Sequence, residues 1–248
     1  MNFEIIHKQL ENEGYVEVEN FLSFDQINKI KKFINNKKKN INKNNFSLAN
    51  QELDDPVFNE IITSKEVENL TKNLLNEFID EYSQLEKHYV LGVRKNEVNA
   101  IKKKNIIFHF DAYFLTINIP ITMPNENTSD LNQEQSGDLL ILPNFRKFNT
   151  SLLKNLIIKL LFQNFITRYF LSFKTIHKLL KIKRIKLSNS KIYIFYGYRT
   201  LHGVDTNFEK GERTTFLIHV HNPHKDSFFD RYIKKKHLKQ RTISRKKY

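Results

Sequence analysis

The 248-residue chain has no cysteine, which excludes a disulfide framework and any thiolate metal site. Such a chain suits a reducing compartment. No apolar run is long enough to span a bilayer, because Lys or Arg interrupts each one. The opening Met1-Asn-Phe-Glu-Ile-Ile-His7 lacks the basic-then-apolar pattern of a secretory signal. The expectation is a cytoplasmic protein, at most peripheral to a membrane. A Gly-rich phosphate loop, a nucleophile elbow and zinc-type ligand spacing are also missing.

Acidic residues are absent from two stretches. None lies between Asp138 and Asp205, which holds 13 Lys and Arg, and none from Arg231 to Tyr248, which holds nine. These stretches take 22 of the 41 basic residues, so the remainder carries 19 against all 27 acids and is net −8. A mildly acidic body with a basic insertion and a basic tail points to an anionic partner. The alternative is compositional drift, given the heavy Lys, Asn and Ile usage throughout. A nucleic-acid partner is not expected, since the basic segments are apolar on one face and carry no recognised binding module.

What is present reads as short helices followed by many strands. Residues 2–12 place Phe3, Ile6 and Leu10 on one helical face, with Gly14 as the stop. Tyr15 to Glu19 alternates as a strand. Ser23 and Gln26 form a capping-box pattern before Ile27, Ile30 and Phe33, and Asn35 to Asn45 reads as a loop. Thr63 and Glu66 suggest a second capping box, with Val67, Leu70, Leu74, Phe78 and Tyr82 continuing a helix. Strands are expected at Tyr89 to Val93, Ile106 to Phe110, Phe114 to Ile121, Leu139 to Leu142, Ile192 to Tyr196 and Arg213 to His221, with a polar loop from Asn125 to Ser136. Between them, Ser151 to Leu187 has apolar residues at three- and four-residue steps, the pattern of a pair of basic amphipathic helices. The tail from Lys234 reads as frayed or disordered. One domain over 1–248 is expected, with 151–187 an insertion or lid and 234–248 a basic tail. Helices first and many strands after argue for a β-sandwich or small barrel with helices packed outside.

Chemistry concentrates at Phe108-His109-Phe110-Asp111. Alternation along a strand puts His109 and Asp111 on one face, two-thirds of a metal site. A second His on a later strand would complete a facial triad with open positions opposite. His202, beside Gly203, can supply it, although a lone His near a strand end is as readily a turn residue. Arg213 starts a later strand. An inward guanidinium is costly unless it meets a carboxylate, and Thr215 shares its face. His219 and His221 lie on the same strand face as Arg213, so either could take the place of His202, but His202 is preferred because His219 reads as a satisfied core histidine deep in the barrel. A second His-x-Asp, His224 to Asp226, follows Pro223 with no strand or Arg pocket after it, and reads as accidental.

The order His-x-Asp, then Gly137-Asp-Leu-Leu-Ile-Leu-Pro143, then His202-Gly203, then Arg213-x-Thr215 resembles the phytanoyl-CoA-dioxygenase-like family of iron(II)/2-oxoglutarate-dependent oxygenases. The run Glu13-Gly-Tyr-Val-Glu-Val-Glu-Asn-Phe-Leu-Ser23 is similar to that family's opening. The resemblance covers Glu13 to Ser23 and Phe108 to about Val220. It implies a mainly β, cupin-like jelly roll, a double-stranded β-helix core, to which the N-terminal helices and the basic helical insertion read from the residues would be added as flanking elements. It implies iron(II) on His109, Asp111 and His202, with Arg213 and Thr215 on the far carboxylate of 2-oxoglutarate. Asn118 or Thr116 would bond the near carboxylate, and ascorbate would be an accessory. The implied activity is hydroxylation of a small molecule, expected to be anionic or amphiphilic: a lipid, an acyl thioester or a lipid-linked sugar. The alternative is a catalytically inactive binding protein of the same fold. Two departures stand out. Pro143-Asn-Phe-Arg146 replaces the family's Pro-Gly-Ser-His type of turn, and the Ser151 to Leu187 insertion lies outside the common pattern. This insertion is expected to cover the barrel mouth or to lie on an anionic membrane surface.

Overall fold

Apolar spacing in the first third of the chain builds four helices that pack against one face of a sheet. The computed structural model describes residues 2–41, 45–76, 78, 89–97, 106–124, 137–148, 151–205 and 211–225. Helix α1 (Phe3–Glu13) starts where the Asn2 side chain accepts from the backbone N–H groups of Glu4 and Ile5. It ends at Gly14, where φ is +81° and a Cβ would lie 2.0 Å from Cβ of Pro143. Both the backbone hand and the close approach require glycine there.

Helix α2 (Phe24–Ile41) opens with the expected capping box. The Gln26 amide donates to Ser23 Oγ at 3.2 Å, and the Ser23 amide donates to Gln26 Oε1 at 3.0 Å. The loop expected from Asn35 is instead a continuation of this helix to Ile41. The segment contains no Gly or Pro to break it. Lys38 and Lys39 sit in the last turn, where the helix dipole favours cations.

Helix α3 (Pro56–Ile62) is capped by Asp55 and is followed by α4 (Lys65–Leu75). The α4 cap is Ser64 rather than Thr63: Ser64 Oγ accepts from Val67, whereas the Thr63 hydroxyl donates to the Asn59 carbonyl at the end of α3. Helix α4 stops at Leu75, short of Phe78, and Tyr82 lies outside the described residues.

The strands form two antiparallel sheets. The larger contains β1 (Val16–Glu19), β2 (Phe46–Ala49), β3 (Tyr89–Glu97), β4 (Leu115–Thr122), β7 (Lys191–Phe195) and β9 (Glu212–Val220), in the order β1-β7-β4-β9-β3-β2. The smaller contains β5 (Leu139–Leu142), β6 (Lys183–Ile185) and β8 (Leu201–Val204), in the order β6-β5-β8. From β4 onward the chain passes back and forth between the sheets. This is the expected jelly roll, with helices flanking it and a helical insertion between β5 and β6.

Period-two alternation divides the larger sheet into two surfaces. Ile117 and Ile119 of β4 and Phe216, Ile218 and Val220 of β9 join the main core with Ile30, Phe33, Phe58, Leu70 and Leu74 of the helices. Their neighbours Thr116, Asn118, Arg213, Thr215 and His219 face a pocket between the sheets. Residues 106–110, expected as a strand, join the structure through one bridge, His109 to His202.

The expected helix pair at Ser151 to Leu187 is three helices, α5 (Leu152–Gln163), α6 (Phe165–Phe170) and α7 (Lys174–Leu179), and the block ends in strand β6. Asn164 separates α5 from α6: its backbone is extended, and its side chain accepts from the Thr167 amide to cap α6. The inner face of these helices packs Ile158, Phe162, Leu171 and Ile176 against Phe108, Phe110 and Leu140. The expected loop over 125–136 and the expected tail from Lys234 lie outside the described residues.

Candidate metal centre

Three side chains from two distant segments converge at one end of the pocket. His109 Nε2 lies 3.6 Å from Asp111 Oδ1, and His202 Nε2 lies 3.6 Å from Asp111 Oδ2. One ligand atom of each of His109, Asp111 and His202 falls within 4.8 Å of the others, the metal-compatible cluster among the described residues. Backbone pairing positions the two imidazoles. The His109 amide donates to the His202 carbonyl at 2.8 Å, the His202 amide donates back at 3.0 Å, and the ring centroids are 4.3 Å apart. His202 is therefore a strand residue of β8 rather than a turn residue.

Each ring presents Nε2 to the site because Nδ1 is engaged elsewhere. His109 Nδ1 lies 3.2 Å from the Ile107 carbonyl, and His202 Nδ1 lies 3.0 Å from the Thr200 carbonyl. Such contacts fix the tautomer and ring orientation that a metal ligand needs. Burial, and then the neighbouring His202, push the His109 imidazole down to about 3, so it is neutral at neutral pH. Burial alone would raise the Asp111 carboxyl. The surrounding His202, His219 and His109 and the Thr116 hydrogen bond outweigh it and hold this carboxyl below the usual range. The neutral His109 imidazole, the ionised Asp111 carboxylate and the second imidazole of His202 match the donor set of a non-haem iron(II) triad.

Asp111 is held by two hydrogen bonds. Its amide donates to the Gly197 carbonyl at 3.0 Å, and the Thr116 hydroxyl donates to Oδ2 at 2.6 Å. Gly197 leaves the room: a Cβ there would lie 2.4 Å from both Asp111 Oδ2 and Thr116 Oγ1. His219, expected deep in the barrel, lines this pocket. Its Nδ1 lies 3.0 Å from Thr116 Oγ1 and 3.7 Å from Asp111 Oδ2, and its ring stacks on Tyr113.

Farther along the pocket, Arg213 is buried. Its Nε donates to the Gly137 carbonyl at 3.0 Å and its Nη1 to Thr215 Oγ1 at 3.4 Å. No described carboxylate forms an ion pair with it. Burial, and then Arg94, push its guanidinium down to about 10, against the opposing pull of Asp138. Asn118 Oδ1 is buried without a hydrogen-bond partner on the same pocket wall. A buried cation with no counter-charge among the described residues suits a small polar anion between Arg213 and the triad. The accidental motif stays apart: His224 Nε2 lies 3.3 Å from the Tyr198 hydroxyl, and Asp226 is outside the described residues.

Two basic residues missed at the sequence level also bear on the site. Arg94, on β3 opposite Thr215, lines the pocket. Arg146, in the departing Pro143-Asn-Phe-Arg146 turn, is sandwiched 4.3 Å from the Phe110 ring centroid and 4.0 Å from that of Tyr198. Its Nη1 donates to Asn155 Oδ1 at 2.7 Å, which ties α5 to the segment carrying His109 and Asp111. Strand alternation around Arg94 offered a signal once β3 was known to reach Glu97. For Arg146 the signal was the departure of Pro143-Asn-Phe-Arg146 from the family's turn.

The fold is shared with iron(II)/2-oxoglutarate oxygenases of known structure. EctD from S. alaskensis in its apoform superposes with a TM-score of 0.57 at 12% identity, over 88% of this chain and 76% of that one. HygX from Streptomyces hygroscopicus, with nickel and 2-oxoglutarate bound, gives 0.55 at 9% identity, over 88% and 86%. A prolyl 4-hydroxylase from Phytophthora capsici gives 0.54 at 13% identity, and this chain, 92% covered, spans 65% of its length. No protein-family model matches the sequence, and no curated protein matches it.

Proposed function

We propose that the chain is an iron(II)- and 2-oxoglutarate-dependent oxygenase, and the observation that carries this is the convergence of His109, Asp111 and His202 with Arg213 in one pocket. His109, Asp111 and His202 would hold iron(II), which when bound supplies oxygen activation coupled to 2-oxoglutarate decarboxylation. Arg213 and Thr215 bind the far carboxylate of the co-substrate, and Asn118 lies on the wall between that end and the triad. Thr116 holds the Asp111 carboxylate in orientation, so its hydroxyl proton is committed there before any co-substrate arrives. Phe195, edge-on to His202 at 4.9 Å, and Leu139 keep this end of the pocket apolar and restrict water.

The finer assignment to the phytanoyl-CoA-dioxygenase-like kind is supported by the Glu13 to Ser23 opening and the spacing of Arg213 and Thr215 after His202. The substrate in this reading is an anionic or amphiphilic small molecule. Arg94 at the pocket and Lys159 on α5 support it. The electrostatic reach of Lys159 extends to Asp111, while burial and Arg146 lower its pKa.

Anaerobic titration with iron(II) and then 2-oxoglutarate tests the proposal. The visible charge-transfer band of a chelated keto acid is expected in the wild type and in His224→Ala, and is expected to be absent in His109→Ala and Asp111→Ala. A band that persists in Asp111→Ala overturns the assignment. A band with no succinate released across a panel of lipids, acyl thioesters and glycan precursors favours the binding-protein alternative.

A further inference from the structure

Large apolar side chains stand exposed at 15 described positions, and 11 of these fall between Leu153 and Leu180. Leu153, Leu160, Phe165 and Ile166 are each more than 60% exposed, Phe165 at 80%. They are not the residues that hold the insertion to the barrel. Ile158, Phe162, Leu171 and Ile176 do that from the inner face. Helix α5 is thus apolar on two sides, one packed on protein and one bare. A helix that is apolar on all sides is stable only in a core or at a lipid boundary.

Charge selects the occupant. Helices α5 to α7 carry Lys154, Arg168, Lys174 and Lys178 besides the inward Lys159, and no acid, while the later cations Lys183 and Arg184 are paired with Glu13 and with Asp138 and Asp205. A second copy of the chain docking through the same face would bring the same cations against them. A lid closing over substrate needs an apolar surface toward the pocket, and the inner face already provides it. An anionic bilayer answers both features of the outer face: apolar rings enter the boundary of the acyl chains while the Lys and Arg stems reach back to the headgroups.

We infer that the outer face of α5, α6 and α7 is a docking surface for an anionic lipid bilayer. No described helix is long and apolar enough to cross a membrane, so the contact is interfacial. Docking there sets the lipid surface beside α5, whose Phe162 packs 6.1 Å from Phe110, the residue between the ligands His109 and Asp111. Docking does not depend on the oxygenase reading, because it involves none of the triad or of the Arg213 pocket.

Co-sedimentation of the full chain, without metal or co-substrate, with phosphatidylcholine vesicles and with phosphatidylcholine–phosphatidylglycerol vesicles tests it. Binding is expected to the acidic vesicles only. It should fall as salt rises from about 0.15 M to about 1 M, which shortens the Debye length from ~8 to ~3 Å. Neutralising Lys154 and Lys178 to Gln should weaken binding about fivefold per cation. Phe165→Ser with Ile166→Ser should abolish binding while leaving the melting temperature unchanged, since both side chains are exposed. Equal binding to neutral and acidic vesicles, or binding to neither, overturns the inference. So does a concentration-dependent doubling of mass that the same double variant removes, because a second copy would then cover the face.

Discussion

The Thr116 hydroxyl donates to Oδ2 of Asp111 across 2.6 Å, both residues buried. It is thereby an orienting group for the one carboxylate of the triad. Replacement by valine keeps the shape and removes the donor. Thr116→Val should weaken metal affinity about 10–100-fold, the usual effect of losing a hydrogen bond to a ligating group. Metal titration followed by the melting temperature checks this. Unchanged affinity would remove Thr116 from the support of the site.

Gly197 approaches Asp111 and Thr116 more closely than any side chain could. The Cβ of Gly197→Ala would sit 2.4 Å from an oxygen of each. The carboxylate must swing away or the backbone after β7 must shift, and either breaks the alignment with His202. A loss of metal binding at least as large as in Thr116→Val is expected, with a lowered melting temperature. A crystal structure of the variant with Asp111 unmoved would contradict the argument.

Arg213 is a buried cation that meets only a carbonyl and a hydroxyl among the described residues. If a co-substrate carboxylate completes it, truncation should cost about 2–5 kcal/mol of that binding. Arg213→Ala should therefore raise the 2-oxoglutarate requirement tens-fold or more while iron(II) binds as before. Calorimetry of each ligand separately distinguishes the two effects, and an unchanged 2-oxoglutarate affinity would take Arg213 out of the pocket's function.

The histidines around Asp111 make the metal-free protein acid-sensitive. Burial, with neighbouring cations, pushes His109 from 6.5 to about 3 and also lowers His219. As pH falls through about 6.5 the unfolded chain takes up these protons and the folded chain does not, so stability drops across that window. Asp111 acts in the same direction at lower pH. Its stabilisation is present above the ordinary carboxyl value of 3.8 and is lost as pH falls through its depressed value. Denaturant midpoints of the metal-free protein should decrease from about pH 7.5 to about pH 5, and His109→Gln should flatten the slope. A midpoint constant over that range would contradict the burial of these rings.

Much of this was legible along the chain because it depends on near neighbours. A period of two puts His109 beside Asp111 and Arg213 beside Thr215 whatever the rest of the fold does. The caps at Ser23 and Gly14 likewise depend on residues within a turn. Local reading failed where two local signals competed. The Lys- and Asn-rich end of α2 looked like a loop because polarity masked its helical continuity, and Thr63 competed with Ser64 for one cap.

Tertiary structure alone decided the relations between distant segments. That His202 rather than His219 completes the triad follows from one pair of backbone hydrogen bonds to His109 across 93 residues of chain. That Thr116 faces Asp111 follows from the register of β4 against β7 and β9. Gly197 matters only because a carboxylate and a hydroxyl from elsewhere pass within 2.4 Å of where its Cβ would be. The sequence determined the side-chain period, the charge of each segment and the chemistry available to a site. Which periods face each other is set by hydrogen-bond register between strands far apart in the chain, and no local pattern encodes register.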